Sequence, residues 1–207
     1  MKKRSSNTPA KSHAGRAAAP PGRVRIIGGR FRRTPIPVVT APGLRPTPDR
    51  VRETLFNWLE HLLGDLCATR VLDLFAGTGA LGIEMASRGA SQVLLVENNA
   101  IAAAALRALV TRLEASAVRV CHADWRTAIS TLATASFDLV FLDPPFDSGL
   151  LEPALAATRH LLAPGGLMYI ESGSALDGTA ISKNGMEIVR TGKAGVVYYH
   201  LLRLQAC

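Results

Sequence analysis

The sequence predicts a doubly wound α/β domain with a mostly parallel sheet, an antiparallel hairpin at its C-terminal edge and a small basic β-hairpin in front. Three observations predict it. From residue 70 onward short apolar runs alternate with helical periodicity, the pattern of right-handed βαβ units. The run within "FDLVFLDPPF" (137–146) is apolar without alternation, as in strands covered on both faces. A glycine-rich turn, "AGTGALG" (76–82), joins the first of these strands to the first helix, where open α/β sheets hold nucleoside ligands.

The 207 residues suit one such domain with an appendage. The formal charge of +8 is uneven: residues 1–52 hold 13 Lys or Arg against the single acid Asp49, whereas residues 53–207 hold 11 against 15 acids. A basic front on a mildly acidic body predicts a polyanionic partner, nucleic acid ahead of a membrane surface. Cys67, Cys121 and Cys207 form no C-x-x-C pair and the five histidines are scattered, so neither a disulfide frame nor a metal site is expected. The thiols read as reduced. No apolar run reaches the roughly 20 residues of a spanning helix, and the N-terminus lacks the apolar core of a secretory signal. A cytoplasmic protein is the expectation.

Residues 1–22 read as a flexible basic tail, in preference to a cleaved organelle peptide that their acid-free, Arg- and Ala-bearing composition also fits. "RVRIIGGRFRRTPIPVV" (23–39) reads as two short strands about the Gly28-Gly29 turn, with mostly arginine at its polar positions. A Pro-rich loop (40–48) completes a basic extension over 23–48, ahead of a main domain over 49–207. A helix is expected from Thr47–Asp49, with Thr47 as N-cap and Pro48 in the first turn. Val51, Leu55, Trp58, Leu59, Leu62 and Leu63 form its apolar stripe, Gly64 ends it, and Arg50, Glu53, Asn57 and Glu60 lie opposite. Strands follow at 70–75, 92–97, 118–122, 138–143 and, after the Pro164-Gly165-Gly166 turn, 166–171. Helices are expected at 80–88, 99–114, 126–133 and 149–162. "MEIVR" (186–190), a turn "TGKAG" (191–195) and "VVYYHLLRL" (196–204) predict the closing hairpin.

Gly77, Gly79 and Gly82 match G-x-G-x-x-G, and Glu97 ends the next strand 20 residues past Gly77, the fingerprint of a nucleoside-cofactor site. Alone it does not choose the cofactor. Asp73, in the strand end before the loop, would meet a cationic amino group and repel a pyrophosphate, which favours S-adenosylmethionine over NAD. The second discriminator is Asp143-Pro144-Pro145-Phe146. Prolines cannot join a sheet ladder, so the strand stops at Asp143, and a carboxylate, a rigid main chain and a ring emerge together at its carboxyl end. A lone Asp-Pro-Pro usually does no more than end a strand. Methyl transfer to a nucleobase amine gives each member a task. The amine lone pair is delocalised into the base, and two acceptors, the Asp143 carboxylate and the Pro144 carbonyl, would draw it toward a pyramidal nitrogen. Phe146 would stack on the base, worth about 1–3 kcal/mol.

Together these strings resemble a known family. "DLFAGTGALG" and "DPPF" are similar to the Rossmann-like class I amino-methyltransferases. "RIIGGRFRRTPIPV", "APGLRPTPDRVRETLFNWL" and "YIESG" resemble the bacterial enzymes that methylate N2 of a guanine in 16S ribosomal RNA. The likeness runs from about Arg23 to Leu204. It implies S-adenosylmethionine as cofactor and 16S rRNA, in an assembled or assembling 30S subunit, as substrate; a monomer is the separate expectation. By position it implies that Asp73, Phe75, Ala76, Gly77 and Gly79 line the methionine half of the cofactor. Glu97 would hold the ribose hydroxyls, Asn98 flank the adenine, and Asp124 bond the adenine amine with Trp125 adjacent. Trp125 departs from the family, in which a small residue is usual. Asp143, Pro144, Pro145 and Phe146 would act on the base. Arg25, Arg30, Arg32, Arg33, Arg45, Arg50 and Arg52 are the candidate phosphate contacts, with bracing of the helix against the catalytic loop as the alternative role for Arg50 and Arg52.

Three rivals remain at this level. An adenine-N6 methyltransferase is opposed by Phe146 in place of Tyr and by the lack of an inserted recognition domain. An NAD-dependent oxidoreductase leaves residues 1–52 unexplained. A non-catalytic RNA-binding protein on the same fold would predict decay of Gly77 and Gly79 or of the Asp143 tetrad, and both are intact.

Overall fold

The computed structural model of the protein describes residues 24–38, 48–146 and 148–205. The expected tail, the Pro-rich loop through Thr47, and Arg45 lie outside them. The N-terminal hairpin is shorter than its arginine-rich alternation implies: β1 (Val24–Arg25) pairs antiparallel with β2 (Pro35–Ile36), Val24 opposite Ile36. Gly28-Gly29 is not a two-residue turn between them. A Cβ on Gly29, whose φ is +70°, would collide with the Ser87 carbonyl. The glycines there permit a close approach of main chain to a neighbouring helix. α1 (Asp49–Leu63) starts after Pro48 and stops at Gly64, burying Val51, Leu55, Phe56 and Leu59.

The main sheet contains β3 (Arg70–Asp73), β4 (Gln92–Glu97), β5 (Val118–His122), β6 (Phe137–Leu142), β7 (Leu162–Ser172), β8 (Met186–Ala194) and β9 (Val197–Leu204), in the order β5-β4-β3-β6-β7-β9-β8. The first five strands are parallel, while β9 runs antiparallel to both β7 and β8. This is the predicted doubly wound sheet with its closing hairpin. Successive strand residues feed opposite faces. Val71, Leu139, Phe141 and Tyr169 pack with α1, the N-terminal hairpin, α2 (Ala80–Ser87) and α3 (Ala100–Leu113). Leu72, Val140, Leu142 and Ile170 pack with α4 (Trp125–Ile129), α5 (Leu151–Thr158) and α6 (Gly178–Lys183). Each such fully buried side chain contributes about 1.5–3 kcal/mol. Chain order reverses between β3 and β6, so a crevice opens at their carboxyl ends.

Element boundaries differ from expectation at several points, and β3 ends at Asp73 rather than at residue 75. The helix expected over 126–133 stops at Ile129, because the Ser130 and Thr131 hydroxyls bond back to the Thr127 and Ala128 carbonyls and turn the chain. The helix expected to reach 162 ends at Thr158 in a short 3-10 turn, Arg159–Leu161. β7 then begins at Leu162, before the Pro164-Gly165-Gly166 step, which appears as a register shift against β6 rather than as the start of the strand. "TGKAG" is mostly strand: β8 continues to Ala194, and Gly192 lies so close beneath the Tyr199 ring that a Cβ there would strike it. Cross-strand pairing there outweighs the turn-like composition. α6, capped by Asp177 through the Thr179 N–H, has no counterpart in the expected elements.

Candidate active site

The glycine loop leaves β3 at Asp73 and enters α2 at Ala80. Gly77 and Gly79 have φ of +53° and +79°, a region costly for residues with a Cβ. A Cβ on Gly82 would overlap the Leu95 side chain, so this glycine lets α2 pack on β4. Two carboxylates hold the loop. Asp73 accepts the Gly82 N–H at 3.0 Å, and Glu97 accepts the Gly77 N–H at 2.8 Å and the Asn99 N–H at 2.7 Å. Burial pushes the Asp73 carboxyl up to about 7, against the lowering effect of the Gly82 N–H, and the Glu97 charge adds to the rise. Asn99 caps α3 through the Ile101 and Ala102 N–H groups, while the exposed Asn98 presents its carbonyl oxygen 3.1 Å from His122 Nε2.

Asp124 caps α4 by accepting the Arg126 N–H at 2.8 Å. Trp125 is buried beside Phe75, ring centroids 6.2 Å apart, with the Arg126 guanidinium 4.4 Å from its ring centre. Its indole Nε1–H finds no acceptor among the described residues. Across the crevice, β6 ends at Leu142 and the main chain turns through Asp143, Pro144 and Pro145 to Phe146, closed by a Ser148 N–H to Pro145 carbonyl bond of 3.2 Å.

The two sides meet in one cleft of about 870 Å³, near the upper end for small-molecule sites and with room for more than one planar group. Asp73, Phe75, Ala76, Gly77, Glu97, Asn98, Asp124 and Trp125 line it on the β3–β5 side, and Asp143 to Phe146 on the β6 side. Gly79, expected in the same wall, serves instead as the left-handed step into α2. Contributors not singled out from the sequence include Glu171 near the end of β7, Arg126, the β8–β9 tip around Gly195–Val196, and Pro48. The signal for Glu171 was its position, an acid closing a strand as Asp143 does.

The arginines separate into two groups. Arg25, Arg30, Arg32, Arg33 and Arg50 are exposed. Arg52 is not, and its expected role as a phosphate contact is corrected: its side chain is 0% exposed. The guanidinium donates to the Arg25 carbonyl at 2.9 Å and to Asp49 at 2.7 Å, and lies 3.9 Å from Glu84. Glu84, on α2, in turn accepts the Ile27 and Gly28 N–H groups at 2.7 and 2.8 Å. Arg52 therefore ties the N-terminal hairpin and α1 to the helix that opens at the glycine loop. Among the described residues no group of His, Cys, Asp and Glu is placed to hold a metal, and no helix is long and apolar enough to cross a membrane.

A glycine loop after the first strand of a doubly wound sheet and an Asp-Pro-Pro-Phe turn after the fourth, meeting in one cleft, define a methyltransferase of the Rossmann-like type. Solved structures of the same fold include a putative methyltransferase, yhhF, from Escherichia coli (TM-score 0.73, 36% identity, 90% of this chain and 100% of that one). Another is the putative methylase HI0767 from Haemophilus influenzae (TM-score 0.72, 30% identity, 89% and 100%). The sequence model of the family described as Conserved hypothetical protein 95 matches residues 24–203. The chain is 40% identical over 188 residues to ribosomal RNA small subunit methyltransferase D of Escherichia coli K12, covering 89% of this chain and 92% of that protein. It is 36% identical over 186 residues to the protein of the same name from Haemophilus influenzae, covering 87% and 93%. The chain belongs to this family.

Proposed function

We propose that the protein transfers a methyl group from S-adenosylmethionine to the exocyclic N2 amine of a guanine in 16S rRNA, on the assembled or assembling small subunit. The observation that carries this is the convergence of the Asp143 carboxylate and the Pro144 main chain on the same cleft as the Asp73 and Glu97 carboxylates. The relatives named for small-subunit rRNA supply the substrate class.

The residues present fit the donor. S-adenosylmethionine, when bound, supplies an electrophilic methyl group and brings a positive charge and an ammonium. Asp73, Glu97 and Asp124 put acceptors at that end of the cleft. The Trp125 Nε1–H, without an acceptor among the described residues, adds a donor. A pyrophosphate fits poorly. The Gly77 N–H that would face it is already bonded to Glu97, and Asp73 would oppose its charge. This observation favours the methyl donor over a dinucleotide.

On the base side, Asp143 and the Pro144 carbonyl accept the two amine hydrogens, which localises the lone pair on nitrogen. A hydrogen bond to a charged acceptor contributes about 1.5–3 kcal/mol. Asp143 also stands where the proton released on N–C bond formation can leave. The prolines hold both acceptors in place before the base arrives, so no reorganisation is needed during reaction. Phe146 offers the stacking face, backed by main chain at Gly173. Exposed Arg25, Arg30, Arg32, Arg33 and Arg50, with Arg45, position the RNA by phosphate contacts. We infer that the enzyme acts on the small subunit in the cytoplasm, as a monomer.

The test is transfer of labelled methyl from S-adenosylmethionine to unmodified 30S subunits, followed by nucleoside analysis. N2-methylguanosine as the sole labelled product is expected. Labelled N6-methyladenosine, or no transfer to the subunit, would overturn the proposal.

A further inference from the structure

Glu171 stands beside the Asp143 turn, on the neighbouring strand. The last ladder pair between β6 and β7 is Leu142 with Ile170. The next residues, Asp143 just past β6 and Glu171 still within β7, thus follow at the same level on adjacent chains spaced about 4.8 Å apart. Glu171 is only 3% exposed, yet it lines the same cleft. Its orientation is held from below: Tyr169, two residues back on the same face, donates its hydroxyl to Glu171 Oε1 at 2.8 Å. That phenol stays a donor, because burial first, and then the Glu171 and Asp143 charges, push it well above its ordinary range. The Tyr169 ring is itself fixed edge-on against Phe141, 5.9 Å between centroids. A carboxylate has four lone-pair directions, so it can accept from several donors at once.

The two purines differ at the atom next to the reacting amine. Guanine carries N1–H, a donor, beside its N2 amine; adenine carries an unprotonated N1, an acceptor, beside its N6 amine. A fixed carboxylate next to the residue that grips the amine attracts the first and repels the second. We propose that Glu171 is the guanine-selecting residue of this site, its carboxylate accepting N1–H while Asp143 and Pro144 hold the neighbouring amine. This rests on the guanine-N2 reading above and would make the pocket reject adenine.

The experiment compares 16S rRNA carrying guanine or 2-aminopurine at the methylated position, assembled into 30S subunits. 2-Aminopurine keeps the amine but has an unprotonated N1. Wild-type enzyme should methylate guanine and leave 2-aminopurine at least about 100-fold slower in kcat/KM, since a site built to bond a donor discriminates strongly against its absence. Glu171→Gln, whose amide can donate, should lose about 10–100-fold on guanine and gain on 2-aminopurine. Glu171→Asp, which keeps the charge but retracts it, should lose rate on guanine and still reject 2-aminopurine. Calorimetric affinity for S-adenosylmethionine should be unchanged in both variants, which also verifies that they fold. Equal losses on the two bases, or none, would show that Glu171 only braces Tyr169 and overturn the inference. Absence of N2-methylguanosine from wild type on guanine would instead overturn the underlying reading, and the inference with it.

Discussion

Glu97 accepts the backbone N–H of Gly77 at 2.8 Å, so the carboxylate that ends β4 grips the loop that follows β3. Its other oxygen holds the Asn99 N–H at the start of α3. Glu97 therefore shapes the loop as well as facing the cleft. Glu97→Ala is expected to weaken S-adenosylmethionine binding by about 10–100-fold through loss of a charged acceptor, and to lower the thermal midpoint of the ligand-free protein. Glu97→Gln, which keeps one acceptor, should fall between. Titration calorimetry and thermal unfolding of the same samples check this; an unchanged dissociation constant removes Glu97 from the cofactor site.

Asp73 predicts a pH dependence. Its folded carboxyl titrates at about 7, whereas an unfolded chain releases that proton near 3.9. Between these values the folded protein holds a proton that the unfolded chain has lost. Stability of the ligand-free protein therefore falls as pH rises from about 4 to about 7. The ionised form pairs with a cationic ligand, so S-adenosylmethionine affinity should rise with pH up to about 7, by at most about tenfold per unit, and then level. Asp73→Asn should flatten that profile and raise the thermal midpoint at pH 8. A parallel profile in the variant would assign the pH dependence elsewhere.

Asp143→Ala should abolish methyl transfer in a single turnover while leaving S-adenosylmethionine affinity within about twofold, because this residue acts on the base. Charge-assisted acceptance from the amine is worth roughly 1.5–3 kcal/mol on its own, and loss of alignment adds to it. Retained turnover would remove the Asp143 turn from the mechanism.

The arginines predict two opposite behaviours. Replacing exposed Arg30, Arg32 and Arg33 with alanine should flatten the salt dependence of 30S binding without changing the thermal midpoint. The slope should fall by about 0.7 for each single-strand phosphate that the variant no longer neutralises. Arg52→Ala should do the reverse. It removes a buried guanidinium beside Glu84, where loss of one partner of an ion pair costs roughly 3–5 kcal/mol, and the remaining Arg88 bond to Glu84 at 2.9 Å keeps the loss near the lower figure. Binding across a salt series, with unfolding of each variant, distinguishes the two roles. Identical slopes for wild type and the triple variant would leave the hairpin arginines as a solvated face.

Periodicity and punctuation are local properties of a chain, and they determined the order of the elements here. The strands that carry Asp73 and Glu97, the strand halted at Asp143 by its prolines, and the glycine step toward α2 could be read in sequence, though not their last residues. A proline pair stops a ladder and a left-handed glycine starts a helix whatever lies nearby. The fold class and the cleft positions of Asp73, Gly77 and Glu97 followed from those rules, whereas Phe75, Asn98, Asp124 and Trp125 rested on the family resemblance. Other features depended on what packs across. Arg52 looks like one more basic residue in an arginine-rich segment, and only the arrival of Glu84 and the hairpin carbonyl of Arg25 makes burial of its charge tolerable. Gly28-Gly29 and Gly192 resemble turn residues, yet close approach of Ser87 to Gly29 and of Tyr199 to Gly192 explains them better. Glu171 ends a strand 28 residues after Asp143 in sequence; the β6–β7 register, which no local pattern specifies, is what sets the two carboxylates side by side.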